Sequence, residues 1–261
     1  MSGEKIIKIC TVLFILYPAE IFCQNIAQTG NLSRLAVNRT LFHPASMIAI
    51  EGKYMDVYYS RPYGMKELET VHGFGSFVWK RTANGISIMS FGKGVYTETE
   101  SSIYNTLRIT NNIGICSDLS FLLADIKNYK NIRSISYSGG FFIYSGWSAV
   151  SIIARNIAIA SDNQLESILK GIQIAGNFRL SENLTILTGF LKEENRDPSF
   201  SIEGRAGLLR YLLIAAGFGT NPDEYTAGAE IMKKNMNFSY YYRRHTDLGG
   251  TFELGISITI K

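Results

Sequence analysis

Charge is scarce in this chain. Asp, Glu, Lys and Arg make up only 18% of 261 residues, and the formal net charge is +4. No basic cluster stands out, so nothing argues for nucleic acid as a partner. Cysteine is nearly absent too, with three in the whole chain, and only Cys116 lies beyond the first two dozen residues. A lone cysteine excludes an internal disulfide framework. No cysteine pair stands at ligand spacing, and His43, His72 and His245 are far apart, which leaves no zinc motif. Past the N-terminus no apolar run approaches the ~18 residues of a transmembrane helix. Proline is scarce, whereas Tyr and Phe are plentiful at 15 each and Gly numbers 24. Aromatics and glycine with few charges suit β-structure in a lipid setting.

The first 23 residues have the layout of a secretory signal. Lys5 and Lys8 form a positive start, residues 9–16 an apolar core, and Tyr17-Pro18 a break, with cleavage expected near Cys23-Gln24. The core is too short to span a bilayer as a helix. A lipid-anchored Cys23 is disfavoured, because bulky Phe22 stands where a small residue belongs. Export without helices leaves a soluble exported protein or an outer-membrane barrel.

Residues 24–52 do not alternate. Residues 31–37 can form a short helix capped by Asn31 or Ser33. From about residue 53 to 261 the pattern is strands. The last, 251–260, is the most regular. Phe252, Leu254, Ile256, Ile258 and Ile260 share one face, and Thr251, Glu253, Gly255, Ser257 and Thr259 share the other. Ten such residues cross a bilayer at a strand tilt of about 45°.

Fourteen strands are expected: 55–60, 72–81, 85–95, 101–115, 119–127, 134–144, 147–157, 165–180, 184–193, 200–209, 212–218, 225–233, 236–243 and 250–260. The second, fifth and eleventh alternate poorly. The connections are expected to alternate in length. Odd-numbered ones (61–71, 96–100, 128–133, 158–164, 194–199, 219–224, 244–249) are longer and polar. Even-numbered ones (82–84, 116–118, 145–146, 181–183, 210–211, 234–235) are tight and use Asn, Asp, Gly and Ser. Long loops at one end and short turns at the other is the rule of outer-membrane barrels, and a sheet in lipid must close on itself. The expected fold is therefore all-β: a closed antiparallel transmembrane barrel of about fourteen strands. The barrel covers 53–261, with a short irregular or helical plug at 24–52. A lumen of that width needs a plug or forms a pore. The first strand looks short, which makes closure its weakest seam.

Several short stretches carry a resemblance: Leu41-Phe-His43-Pro44-Ala45-Ser46-Met47 ahead of the barrel, Ala154-Arg155-Asn156-Ile157, Ala227-Gly228-Ala229-Glu230, and Tyr240-Tyr-Tyr-Arg-Arg-His-Thr-Asp-Leu-Gly before the last strand. In these and in its layout the chain resembles the PorV/PorQ-like outer-membrane barrels, which are similar in turn to FadL-type barrels. It departs from that pattern at His43, at Thr246 and at the terminal Lys261. The resemblance implies localisation in the cell outer membrane, with lipid around the barrel. It also implies a role: protein secretion and surface attachment is the main expectation, and a channel for small hydrophobic molecules is its alternative. PorV/PorQ-like barrels belong to type IX protein secretion, with other envelope proteins as partners. FadL-like barrels pass small hydrophobic molecules past an N-terminal plug whose motif here is His43, Pro44, Ala45 and Ser46.

The polar strand faces carry Arg155, Arg179, Glu203, Arg205, Glu230, Arg243 and Glu253, which are expected to point into the lumen. They form either a polar path or an ion-pair network filling the barrel. No catalytic arrangement follows from the histidine spacing, Gly92-Lys-Gly94 and Gly73-Phe-Gly75 match no phosphate loop, and no cofactor is expected. The chain is thus read as non-enzymatic; an exported soluble β-protein or a barrel lipase would leave large apolar strand faces in water. Trp79, Trp147 and Tyr240–Tyr242 fit interfacial aromatic girdles. A transporter would show an apolar pocket and a kinked strand, for which Gly139-Gly140 is the candidate.

Overall fold

The computed structural model describes residues 45–48, 52–128, 131–145, 147–161 and 169–260. The signal-like segment and most of the expected plug, including His43 and Pro44, lie outside the described residues. A short helix α1 (Ala45–Ile48) precedes the strands. Seven strands follow as β1 (Lys53–Arg61), β2 (Thr70–Trp79), β3 (Thr82–Phe91), β4 (Tyr96–Arg108), β5 (Ile113–Ile126), β6 (Ile132–Ser145) and β7 (Ser148–Ser161). The second seven are β8 (Gly171–Arg179), β9 (Leu184–Glu193), β10 (Ser199–Leu209), β11 (Leu212–Gly219), β12 (Glu224–Lys233), β13 (Met236–His245) and β14 (Gly249–Ile260). Each strand pairs with its sequence neighbours, and β1 pairs antiparallel with β14 to close a fourteen-stranded barrel.

The closing seam is longer than the sequence suggests. It runs from Lys53↔Ile260 to Arg61↔Phe252, because the polar Lys53 and Arg61 extend β1 at both ends. β1 begins and β14 ends at the level of the even-numbered turns, the end at which α1 packs.

Two predicted turns and one predicted loop are strand. Residues 82–84 begin β3, and the turn is at 80–81. Residues 116–118 lie inside β5, and the turn is at 109–112, where Thr110 Oγ1 accepts from the Asn112 and Ile113 amides. Residues 96–100 begin β4. The physical reason is common to all three. Polar residues that resemble turn chemistry are lumen or wall residues of a barrel whose inside is wet; Asp118 lines an internal cavity, and Asn84 accepts from Asn105 across the wall at 2.8 Å. Among the described residues the longest odd-end connection is 62–69, although 246–248 is short.

The period-two pattern places its apolar set outside. Phe252, Leu254, Ile256, Ile258 and Ile260 are 38–52% exposed, while Thr251, Glu253 and Ser257 are buried. The same holds around the wall for residues such as Ile86, Ile103, Phe121, Phe141, Ile172, Ile202 and Phe238. A continuous apolar outer belt on a closed barrel is a surface for lipid. Aromatic residues mark both rims: Trp79, Trp147 and Tyr211 at the short-turn end, Phe200, Tyr225, Tyr242 and Phe252 toward the other. Tyr241 is the exception in its run; it is buried in the lumen.

The strands that alternate poorly do so because the lumen is partly apolar. Phe74 of β2 and Leu213 of β11 point inward and are buried. At the short-turn end an inward cluster joins Tyr54, Phe74, Tyr104, Phe142, Tyr144, Ile153 and Leu187, and α1 sits within it through Met47 and Ile48. Gly85 makes that seat: a Cβ there would lie 2.9 Å from the Met47 sulfur.

Candidate functional site

The site is the lumen, and its residues come from every second position of the strands. β10–β13 supply one network. Arg205 Nε donates to Glu203 Oε1 at 2.8 Å, and its guanidinium lies 3.7 Å from Glu230. Glu230 also accepts from Tyr241 Oη and from Asn237 Nδ2, the latter at 2.7 Å. Arg205, Glu203, Glu230 and Tyr241 are all at most 2% exposed. Gly228 lets Tyr241 lie across it, since a Cβ there would collide with the ring at 2.1 Å. Charges this deep require such pairing, because an isolated one is costly to desolvate.

A second network stands nearer the odd-numbered loops. Arg243 bridges Glu253 and Glu224, the Glu224 contact being 3.5 Å. Tyr63, in the loop after β1, covers it: its amide donates to Thr251 Oγ1 at 3.2 Å and its ring meets His245 edge-on. Burial pushes the Tyr63 phenol up, Glu224 adds to this, and Arg243 opposes it. His245 itself is turn chemistry, its Nδ1 accepting from the Asp247 and Leu248 amides.

Five of the seven predicted lumen residues thus fall into two ion-pair networks. Arg155 points inward and donates to Gln173 Oε1 at 2.8 Å. Arg179 sits at the short-turn rim, its Nε donating to Ser181 O, and joins neither network. For the plug motif, Ala45 and Ser46 open α1.

Sequence reasoning missed the opposite wall. Ser87, Ser102, Ser120 and Ser136 are in direct register across β3, β4, β5 and β6. Their small side chains leave space, and carboxylates flank the row. Glu98 accepts from Tyr96 Oη at 2.6 Å, Glu100 from Ser102 Oγ at 3.3 Å and Asp118 from Ser120 Oγ at 3.5 Å. Beside the row is a cavity of about 360 Å³ lined by Ser87, Ser120, Glu98, Glu100 and Asp118 with His72, Tyr104 and Arg155. The signal was present in β4, where Glu98, Glu100, Ser102, Tyr104 and Thr106 hold alternate positions. A larger cavity of about 630 Å³ lies against β9–β12, and Glu224 and Arg243 line both.

Besides a shift at Gly207/Leu209 between β10 and β11, the wall is irregular between β6 and β7. Between Gly139↔Ala154 and Tyr137↔Ala158 the β6–β7 register slips, so that Arg155, Asn156 and Ile157 lie opposite Ser138 alone. Asn156 takes φ 52°, its amide donates to Ser138 Oγ and its side chain to Leu169 O at 2.7 Å. Pairing of β7 with β8 ends at Arg155↔Gly171, while β7 runs on to Ser161. The kink falls at the predicted glycine pair.

No protein-family model matches the chain. No curated protein matches it either. Solved structures do. The CymD monoaromatic hydrocarbon channel superposes with a TM-score of 0.61 at 7% identity, covering 92% of this chain and 98% of its own. A Pseudomonas aeruginosa FadL homologue gives 0.59 at 9% identity, covering 84% and 93%. The Acinetobacter baumannii outer membrane protein Omp33 gives 0.54 at 8%, covering 80% and 98%. At these identities the likeness establishes the fold: a barrel of the kind found in outer-membrane channels. None of the three is described as a secretion component, so the type IX expectation gains no support.

Proposed function

We propose that this chain is an outer-membrane channel that passes small hydrophobic molecules, with residues 24–52 as its plug. The observation that carries this is the apolar inward cluster around Phe74, Phe142 and Leu187, entered by α1 from the lead-in. An ion-filled structural barrel has no need of an apolar lower lumen occupied by a separate segment. The kink at Gly139 and the end of β7–β8 pairing at Arg155 favour the same reading over a sealed scaffold, since they interrupt the wall beside the lumen. Because the outer belt suits lipid and the neighbouring folds are outer-membrane barrels, the outer membrane is the expected location. A channel of this kind performs no covalent chemistry, so it is not read as an enzyme, and its partners are lipid and a small apolar solute.

The test is entry of an apolar dye, N-phenyl-1-naphthylamine, into cells with a lipopolysaccharide outer membrane. Expression should raise the initial rate several-fold, and Phe74→Asp with Phe142→Asp should abolish the gain while the protein still migrates as a folded barrel. Equal rates with and without the wild-type protein would sink the proposal.

A further inference from the structure

We propose that the short-turn rim of the barrel binds the phosphodiester headgroups of anionic phospholipid through Lys53, Lys80, Arg81, Lys233 and Lys234. This surface lies on the outside of the barrel and does not depend on what the lumen passes. Charge separates the two ends of the molecule. Among the described residues, the even-numbered turns and the strand ends that border them hold these five cations with Arg108, Arg179 and Arg210, against Glu182 alone, so that 8 − 1 = +7. The odd-numbered loops and their strand ends hold six cations and eight carboxylates, so that 6 − 8 = −2. Arg108 turns inward over the Tyr144 ring, and Arg179 is tied to its own turn through Ser181. The other five are exposed, and none has a carboxylate partner among the described residues.

The closed sheet makes these five one arc. Lys233 ends β12, Lys234 opens the turn to β13, β14 lies next, Lys53 opens β1, and Lys80 with Arg81 forms the β2–β3 turn. From β12 to β3 there are five strand spacings, roughly 24 Å along the rim. Lys53 shares its strand face with Met55 and Val57, and Lys233 shares its face with Ile231, all exposed on the lipid side. Phe77, Trp79, Met236 and Ile258 complete the apolar wall at this edge, and Lys80 Nζ lies 5.0 Å over the Trp79 ring. Long cationic side chains at the edge of an apolar belt keep their carbon stems on the wall and place the charge at headgroup level. A ligand that meets both features carries an anion joined to a long apolar body. Anionic phospholipid does so, and Lys and Arg near the membrane surface attract it within a Debye length. Short turns face the periplasm in outer-membrane barrels, the side on which that membrane's leaflet is phospholipid.

The chain has two tryptophans, and they report on the arc and on a rim position outside it. Trp147→Phe leaves Trp79 as the reporter. Trp79→Phe leaves Trp147, whose carbonyl accepts from the Arg179 amide, beside the turn that holds Glu182. Each protein is folded into phosphatidylcholine vesicles, and fluorescence is read as acyl-brominated phosphatidylglycerol or acyl-brominated phosphatidylcholine replaces the host lipid. Brominated phosphatidylglycerol should quench Trp79 with an apparent association constant at least about three-fold above that of brominated phosphatidylcholine. At Trp147 the two constants should be nearly equal. The variant Lys53→Gln, Lys80→Gln, Arg81→Gln, Lys233→Gln, Lys234→Gln should remove the difference at Trp79. If that variant fails to fold, the unsubstituted rim decides: raising NaCl from 50 mM to 1 M should bring the two constants at Trp79 together, as screening weakens the attraction. Equal constants at Trp79 in low salt, the same preference at Trp147, or a preference that survives the substitutions or the salt overturns the lipid surface and leaves the rim to an acidic protein. Loss of the preference on adding inorganic phosphate at constant ionic strength also overturns it, in favour of a soluble anion. Loss of dye entry with the Trp79 preference intact rejects the channel alone.

Discussion

Arg205 shows how much a single lumen residue can carry. It is 1% exposed and stands between Glu203 and Glu230. Arg205→Ala would leave two buried carboxylates without their cation, which costs about 3–5 kcal/mol. Urea unfolding in micelles should show that loss, and adding Glu203→Gln and Glu230→Gln should recover most of it. A single variant as stable as wild type would mean the charges are solvated rather than buried. Residue types at alternate positions made Glu203, Arg205, Glu230, Arg243 and Glu253 legible as inward groups. What the sequence did not disclose was their pairing. Arg205 meets Glu230 only because β10 and β12 both border β11 in the closed sheet, and Arg179 fails to join because it sits at the short-turn rim, at the end of β8. Tyr241 was hidden for a different reason: in a run of three tyrosines residue type gives no contrast, and its burial and its contact with Glu230 show that it shares the inward face of Arg243.

Among the elements, β14 is the plainest case of sequence dictating placement. Its alternation survives intact, with Leu254 at mid-strand toward lipid and Glu253 toward the lumen. Leu254→Arg should destabilise the barrel in lipid by about 2–4 kcal/mol, whereas Leu248→Arg in the last loop should be nearly neutral. Equal effects of the two would argue against a lipid-facing belt. The β6–β7 kink makes a steric prediction. At Gly140 a Cβ would lie 2.1 Å from the Ile152 carbonyl oxygen, which is backbone and cannot swing away. At Gly204 the nearest atom would be 3.9 Å off. Gly140→Ala should therefore cost about 1–3 kcal/mol, a typical overpacking penalty, and Gly204→Ala close to nothing, read from the unfolding midpoint. Turn positions were the least legible elements. In a barrel with a wet interior, Cys116-Ser-Asp118 reads like a hairpin turn although it is a mid-strand segment facing a cavity.

For the molecule as a whole, strand number and closure follow from the outward apolar periodicity and the regular spacing of connections, both visible in the chain. The interior's division was not visible, because it depends on which strands become neighbours. An apolar floor with α1 lies under β1–β9, a serine and carboxylate wall rises on β3–β6, and ion-pair networks fill β10–β14. Every functional statement made of this lumen presumes that the even face of β14 meets lipid while its odd face meets the interior. A nitroxide scan of residues 251–260 in lipid vesicles, one labelled cysteine at a time with Cys116→Ser, measures that directly. The account predicts a period of two: oxygen-accessible labels at 252, 254, 256, 258 and 260, and oxygen-shielded labels at the positions between. Even positions as open to a water-soluble nickel chelate as to oxygen would contradict it.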